Sequence, residues 1–379
     1  MSKRKLHNLL ITGGAGFIGS NFIHYLFNES ASNSKEFTDS GFTGNVVNID
    51  LLTYAGNLEN LSDIEKKYGT GVSEDKRRYH FIKGDICDRK LIEEILEKYQ
   101  IDTIIHFAAE SHVDRSVLEP ESFIKTNVLG TYTLVDCAKN YWKTSLDNIR
   151  DDVLFHHIST DEVYGSLGQT GYFREDTAYD PRSPYSSTKA SSAHIVMAYH
   201  HTFGLPITLS NCSNNYGPFQ FPEKLIPLMI LNISTGKNLP VYGKGTNIRD
   251  WIYVEDHNRA VWQILKDGKT GEKYNIGGEN EWQNIHLLDK LIELTSKELN
   301  INPEKVKETI TYVKDRPGHD LRYAIDCSKI KNELGWQRKM TFEEGLLLTV
   351  KWNLSNKEWI DHIKSGEYLN WIKDNYSSR

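Results

Sequence analysis

The sequence predicts an α/β protein, a doubly wound Rossmann-type parallel sheet with a smaller mixed α/β lobe attached. Three observations predict it. The chain opens on an apolar strand, a glycine-rich turn and a helix-period run, in that order. Strand-like and helix-like segments then alternate as far as Asn214. The residues best suited to ligand chemistry fall at the carboxyl ends of successive strands, where sheets of this kind bind their ligands.

The first strand and turn lie in LHNLLITGGAGFIGSNFIHYLF. Gly14, Gly16 and Gly19 read as G-x-G-x-x-G; counted from Gly13 the spacing is G-x-x-G-x-x-G. Glycines in such a turn let backbone N–H groups approach a pyrophosphate at a helix N-terminus. A plain turn is the alternative for the glycines alone, and the strand–turn–helix setting favours the phosphate. The second strand, NVVNID, ends in Asp50, an acid suited to the ribose hydroxyls of an adenine dinucleotide. The polar stretch Asn28–Asn45 reads as a surface insertion that lengthens the usual gap of about 20 residues. An acid with no arginine beside it selects NAD over NADP, whose 2′-phosphate it would repel. Strands ending at Asp85–Ile86 and Ala108–Ala109 continue the pattern.

SPYSSTKASSAHIVMAYHHTFG reads as a helix with Tyr185 and Lys189 four residues apart, on one face. A phenol has an ordinary pKa of about 10 and is a poor base. A neighbouring ammonium and the positive charge of a bound nicotinamide are expected to favour the phenolate, which could take the proton of a sugar hydroxyl. The preceding strand, DVLFHHIST, delivers Thr160, Asp161 and Glu162 to the same sheet edge. Oxidation of an alcohol needs only Thr160 and Tyr185. Two further acids point to loss of water: a carboxylate to remove a carbon-bound proton, and a carboxylic acid to protonate the departing hydroxyl. The bland alternative is a strand-end turn with Asp161 capping and Glu162 in water.

Composition sets the outer limits. With 39% hydrophobic and 25% charged residues the chain is that of a globular protein. A net charge of −6 and the lack of a Lys/Arg-rich block argue against nucleic acid as partner. No apolar run is long enough to span a bilayer, and SKRKLHNLLI, which passes at once into the glycine turn, is not expected to be an export signal. The four cysteines, Cys87, Cys137, Cys212 and Cys327, are far apart and read as buried thiols of a cytoplasmic protein, with no metal site. His156–His157 and His200–His201 read as ordinary polar histidines, because neighbours on one element point apart.

Beyond Asn215 the alternation breaks down into a helix and short strands. Isolated cations, Lys224, Arg249 and Arg316, suit a diphosphate, and Arg316 stands in the stiff turn DRPGHD. The expected division is residues 1–214, with a return segment near 249–278, and a discontinuous lobe over 215–379.

TGGAGFIGS, AAESHVDRS, STDEVYG, SPYSSTKA, SNCSNNYGPFQFPEKLIPLMI, VYGKGTNIRDWIYVEDH, YNIGG and DRPGHDLRYAID together resemble the extended short-chain dehydrogenase/reductase family, and within it the nucleotide-sugar 4,6-dehydratases. The resemblance implies a closed redox cycle. Tyr185, helped by Thr160 and Lys189, deprotonates the glucose C4 hydroxyl while NAD takes hydride. Glu162 removes the C5 proton, Asp161 protonates the C6 hydroxyl, and hydride returns to C6. The implied substrate is dTDP-glucose, with UDP-glucose as the alternative; a 4-epimerase or a non-enzymatic NAD-binding regulator would not need the acid pair.

For the cofactor, the resemblance implies Gly13, Gly16, Phe17, Ile18, Gly19, Asp50, Leu51, Thr53, Asp85, Ile86, Ala108, Ala109, Thr126, Tyr185, Lys189 and Asn215. For the sugar nucleotide it implies Ser111, Thr160, Asn214, Lys224, Leu225, Pro240, Tyr242, Arg249, Asn284, Arg316 and His319. ESFIKTNVLGTYTLVDCAKNYW and the helix after Tyr185, apolar on more than one face, imply a homodimer; an internal core is the competing explanation.

Overall fold

The structure is a computed structural model that describes residues 4–29, 40–145, 148–315 and 320–365. The Arg316 and His319 positions, and most of the Asn28–Asn45 insertion, therefore lie outside the described residues.

A seven-stranded, wholly parallel sheet organises the chain. Its strands are β1 (Asn8–Thr12), β2 (Asn45–Asp50), β3 (Tyr79–Lys83), β4 (Thr103–His106), β5 (Leu154–Thr160), β6 (Ile207–Cys212) and β7 (Lys273–Ile276). The order across the sheet is β7-β6-β5-β4-β1-β2-β3. The chain thus runs outward from β1 in one direction, then crosses to β4 and runs outward in the other. That reversal leaves a crevice beyond the carboxyl ends of β1 and β4, where a ligand can be reached by loops from both halves.

Apolar residues on both faces of each strand explain why the sheet is covered twice. Leu9 and Ile11 pack into one core with Phe22, Ile23, Val261 and Ile264, from α1 (Phe17–Leu26) and a helix over Val254–Asp267. Leu10 faces the other way, into a core with Ile92, Leu134, Val135 and Val196. These come from helices Arg89–Lys98, Thr131–Trp142 and Pro184–Phe203. His156 and His157 are both fully buried in β5. His156 exchanges a hydrogen bond of 2.8 Å with Thr208 on β6, which keeps a polar ring tolerable inside the sheet. All four cysteines are free, with Cys87 only partly buried and the others buried.

The smaller lobe has its own core of Ile226, Met229, Ile230, Leu287, Leu291 and Leu346. These sit on helices Leu225–Ser234, Asn284–Leu299 and Phe342–Ser355. The chain returns to the sheet twice. Helix Val254–Asp267 and β7 do so first, and then Tyr323, Ile325, Cys327, Ile330 and Trp336 join the core on the α1 side. Among the described residues no helix is long and apolar enough to cross a membrane.

Candidate active site

The glycine turn is built by close approach. Gly13 has φ +71°, and a Cβ there would lie 2.6 Å from the Ala108 backbone across the crevice. A Cβ on Gly19 would lie 2.4 Å from the Gly13 carbonyl oxygen, so the helix start must pack on the turn. A Cβ on Gly16 would meet only the Gly13 carbonyl, at 3.3 Å, and Gly16 lines the crevice. Gly14 does not line it; its position is filled by Asn48, whose Oδ1 accepts its N–H at 3.1 Å. The G-x-x-G-x-x-G count from Gly13 is therefore the one the crevice uses. Asp50 closes the far side, accepting the Ala15 N–H at 3.0 Å and the Leu52 N–H at 2.8 Å. Burial raises its carboxyl above the ordinary value, against those two N–H groups.

Every position expected on the cofactor side lines this one crevice. Phe17, Ile18 and Gly19 stand with Leu51 and Thr53 at the turn and the β2 end. Asp85 and Ile86 follow β3, and Ala108 and Ala109 follow β4. Thr126 comes from a π-helical turn, Ile124–Gly130, and Asn215 follows β6. Asp85 binds the Cys87 N–H at 2.9 Å and pairs with Lys125 at 3.3 Å.

Thr160, Glu162, Tyr185 and Lys189 line the same crevice at the β5 end. Thr160 caps the short 3₁₀ turn Asp161–Tyr164: its Oγ1 accepts the Glu162 N–H at 3.3 Å and donates to Asp161 at 3.3 Å. This cap turns the adjacent acids into different surroundings. Asp161 is 1% exposed, and its Oδ2 has no hydrogen-bond partner. Burial, then the charges of Glu162 and Asp250, hold its carboxyl well above the usual range; Arg249 and Thr160 oppose this only in part. These surroundings favour the protonated form of Asp161. Glu162 is less buried and lines both this crevice and its neighbour.

Tyr185 and Lys189 are both buried, on the first turns of a helix opened by a Ser183 capping box. Lys189 donates to the Ile158 carbonyl at 2.7 Å, and burial brings its ammonium down to about 8. The expected phenolate is not produced by the chain alone. Burial, then Glu162, Cys212 and Asp161, push the Tyr185 phenol well up, with the Thr160 hydroxyl opposing. The correction is physical: a ring placed among acids and taken out of water holds its proton.

A second crevice opens between the sheet edge and the smaller lobe. Ser111, Asn214, Lys224, Leu225, Pro240, Tyr242, Arg249 and Asn284 line it together with Glu162. Thr160 faces the first crevice instead. Arg249 is 9% exposed, donates to the carbonyls of Ile248 (2.8 Å) and Asp320 (3.1 Å), and lies 4.3 Å over the Tyr323 ring. Lys224 donates to the Ser111 carbonyl at 3.2 Å.

Several residues at these crevices carried no signal in the sequence. Tyr54, Gln220 and Glu223 line the first, and Arg182, Asp320 and Tyr323 the second. Asp250, which acts on Asp161, is fully inside, accepting the N–H groups of Gly278 (2.9 Å) and Asn280 (2.6 Å). Only the adjacency of Glu223 to Lys224 in FPEKLIP, and of Asp250 to Arg249, hinted at a role. Among the described residues, buried polar atoms without a hydrogen-bond partner gather at these walls: Asn214 Oδ1, Asn215 Oδ1, Gln220 Oε1 and Asn284 Oδ1. Unpaired buried polar atoms are costly, and so many on two adjoining walls mark surfaces built for polar ligands.

Comparison with known proteins agrees with this geometry. The model of a family described as GDP-mannose 4,6 dehydratase matches residues 10–349. A dTDP-glucose 4,6-dehydratase of Shigella flexneri is 50% identical, over 98% of this chain and 99% of that protein. The crystal structure of a dTDP-glucose 4,6-dehydratase from Streptomyces venezuelae, with NAD and dTDP bound, superposes with a TM-score of 0.80 at 40% identity, covering 94% of this chain and 99% of that one. That of Bacillus anthracis, in complex with NAD, gives 0.78 at 44% identity, covering 94% and 100%. The chain belongs to the GDP-mannose 4,6-dehydratase family of extended short-chain dehydrogenases.

Proposed function

We propose that this chain converts dTDP-glucose into dTDP-4-keto-6-deoxyglucose, with NAD held in the first crevice and the sugar nucleotide in the second. The observation that carries the reading is the pair at the β5 end. A buried Asp161, whose surroundings raise its carboxyl, stands next to a Glu162 that reaches both crevices, beside Tyr185 and Lys189.

The first crevice fits NAD. Gly13, Gly16 and Gly19 bring backbone to where a pyrophosphate would lie; Asp50 suits ribose hydroxyls; Asn215 offers an unpartnered amide oxygen. NAD supplies the hydride acceptor for C4 and the donor for C6. Tyr185, as the phenolate that Lys189 and the positive charge of a bound nicotinamide would favour, takes the C4 hydroxyl proton, with Thr160 as its hydrogen-bonding neighbour. Glu162 removes the C5 proton, which the C4 ketone acidifies, and a proton returns to C5 as hydride reaches C6. Asp161, whose burial favours the protonated form, gives a proton to the C6 hydroxyl, since hydroxide leaves poorly unaided. Arg249 and Lys224 face the diphosphate, and Asn284 another polar part of the nucleotide.

The unit boundaries proposed are a sheet unit over 1–214 with the return near 249–278, and a smaller lobe from the rest. A homodimer is proposed through the helices Thr131–Trp142 and Pro184–Phe203, where Ile124, Leu129, Tyr132 and Phe203 stand exposed on or beside the two helices. Four free thiols suit the reducing cytoplasm, the proposed location.

The test is direct. Pure protein is incubated separately with dTDP-glucose and UDP-glucose, and the products are weighed. Loss of one water from dTDP-glucose, with no NAD added and no NADH released, is the expected result. An isomer of unchanged mass would instead mean an epimerase.

A further inference from the structure

Tyr54 belongs to no step of the reaction, yet three segments hold it. It follows Asp50 on the loop 51–57, which lines the cofactor crevice. Its hydroxyl donates to Glu223 Oε1 at 3.0 Å. Its ring meets Phe221 edge-on, with centroids 5.3 Å apart, and the Arg115 guanidinium lies 3.8 Å over its face. Glu223 and Phe221 come from the segment leading into the smaller lobe, and Arg115 from the helix Val113–Leu118.

Glu223 is buried and lines both crevices, so it forms part of the wall between them. Its second oxygen lies 3.8 Å from His112 Nε2. His112 Nδ1 accepts the Arg115 N–H at 3.3 Å, so the ring proton of a neutral His112 is on Nε2, facing Glu223. Among the described residues the loop after β2 is tied on its own side of the crevice, through Leu52 to Asp50, Gly56 to Thr53 and Asn57 to Ala15. Tyr54 is therefore the residue that fastens this loop to the opposite wall of the crevice. Burial and the nearby acids keep its phenol protonated, hence a donor to Glu223.

We propose that Tyr54 is a positioning residue that retains the cofactor: its contact with Glu223 and Arg115 straps the 51–57 loop across the crevice, and NAD leaves only when the strap opens. The inference rests on the reading that NAD occupies this crevice. It explains how a reaction that returns its hydride keeps the same cofactor molecule through the cycle.

The experiment measures cofactor content, not turnover. Wild-type protein and the Tyr54→Phe variant are loaded with NAD, passed through a desalting column and sampled over time for bound NAD. The ring and its packing remain in Tyr54→Phe, so folding is preserved, which circular dichroism checks. Loss of one hydrogen bond to a carboxyl group is expected to speed NAD release about tenfold. Glu223→Gln keeps an acceptor for the Tyr54 hydroxyl and should retain NAD better than Tyr54→Phe. Equal release from wild type and Tyr54→Phe overturns the strap. A wild type that holds no NAD at all overturns the reading of the crevice, and the strap with it.

Discussion

The two crevices meet at Glu162 but are made differently. The first is built on the edge of a single sheet: its walls are largely the turns after β1 to β6, joined by Thr126, Tyr185 and Lys189 from helices and by Gln220, Phe221, Glu223 and Lys224 from the segment entering the smaller lobe. The second is assembled from pieces far apart in sequence, from Ser111 to Tyr323, which come together only when the smaller lobe folds on the sheet. The difference teaches where chemistry and recognition reside. Groups with shifted proton affinity, Asp161, Tyr185 and Lys189, belong to the sheet edge, where burial is deepest. The smaller-lobe side offers Arg249, stacked on Tyr323, and neutral amides.

If that division holds, losses on the two sides take different kinetic forms. The largest is expected at Tyr185. Tyr185→Phe keeps the ring and removes the base, so kcat should fall roughly 100-fold or more, with KM little changed. Steady-state rates with dTDP-glucose check it, and a rate near wild type removes Tyr185 from the chemistry. Arg249→Lys keeps the charge but loses the planar stack and the forked donors. It should raise KM about tenfold and leave kcat within a few-fold. A fall in kcat as large as that of Tyr185→Phe would erase the contrast between the crevices.

The smallest effect concerns acid stability. Burial lowers His106, His156 and His257, all in or against the sheet, to about 3. Their folded values lie below the unfolded one, about 6.5. Their stabilising contribution is therefore whole above pH 6.5 and lost as pH falls below it. Each histidine should cost roughly 1 kcal/mol per pH unit below about 6.5. Thermal melts between pH 7.5 and 5.5 should show the decline, and replacing His156 by Gln should shallow it. A melting temperature flat across this range contradicts the buried-neutral account.

Much of the first crevice was legible because its signals are local. A glycine with φ +71° against the Ala108 backbone, or an acid as the last residue of a strand, follows from a few neighbours. Asp161 and Glu162 could be found as a pair, but their unlike states could not be read from adjacency. Those states depend on the Thr160 cap and on Asp250, which is 89 residues away in sequence by subtraction of the two numbers. Tyr54 and Glu223 were missed because their contact joins segments with no shared motif. The return of Tyr323 to Trp336 to the sheet core was likewise invisible, since its apolar residues show no strand or helix period.

The central claim is that the adjacent acids eliminate water after C4 has been oxidised. It is tested by single-turnover absorbance of bound NADH in Glu162→Gln and Asp161→Asn, with mass analysis of the sugar. Neither variant removes the Tyr185 base, and loss of a neighbouring acid eases its deprotonation, so both should still reduce bound NAD with dTDP-glucose. Glu162→Gln should then stall with the C5 proton in place, and Asp161→Asn should lose water far more slowly than wild type. Product formed at the wild-type rate by both variants would reduce the pair to a polar turn, and failure of both to reduce NAD would place the acids in binding or oxidation, contradicting the account.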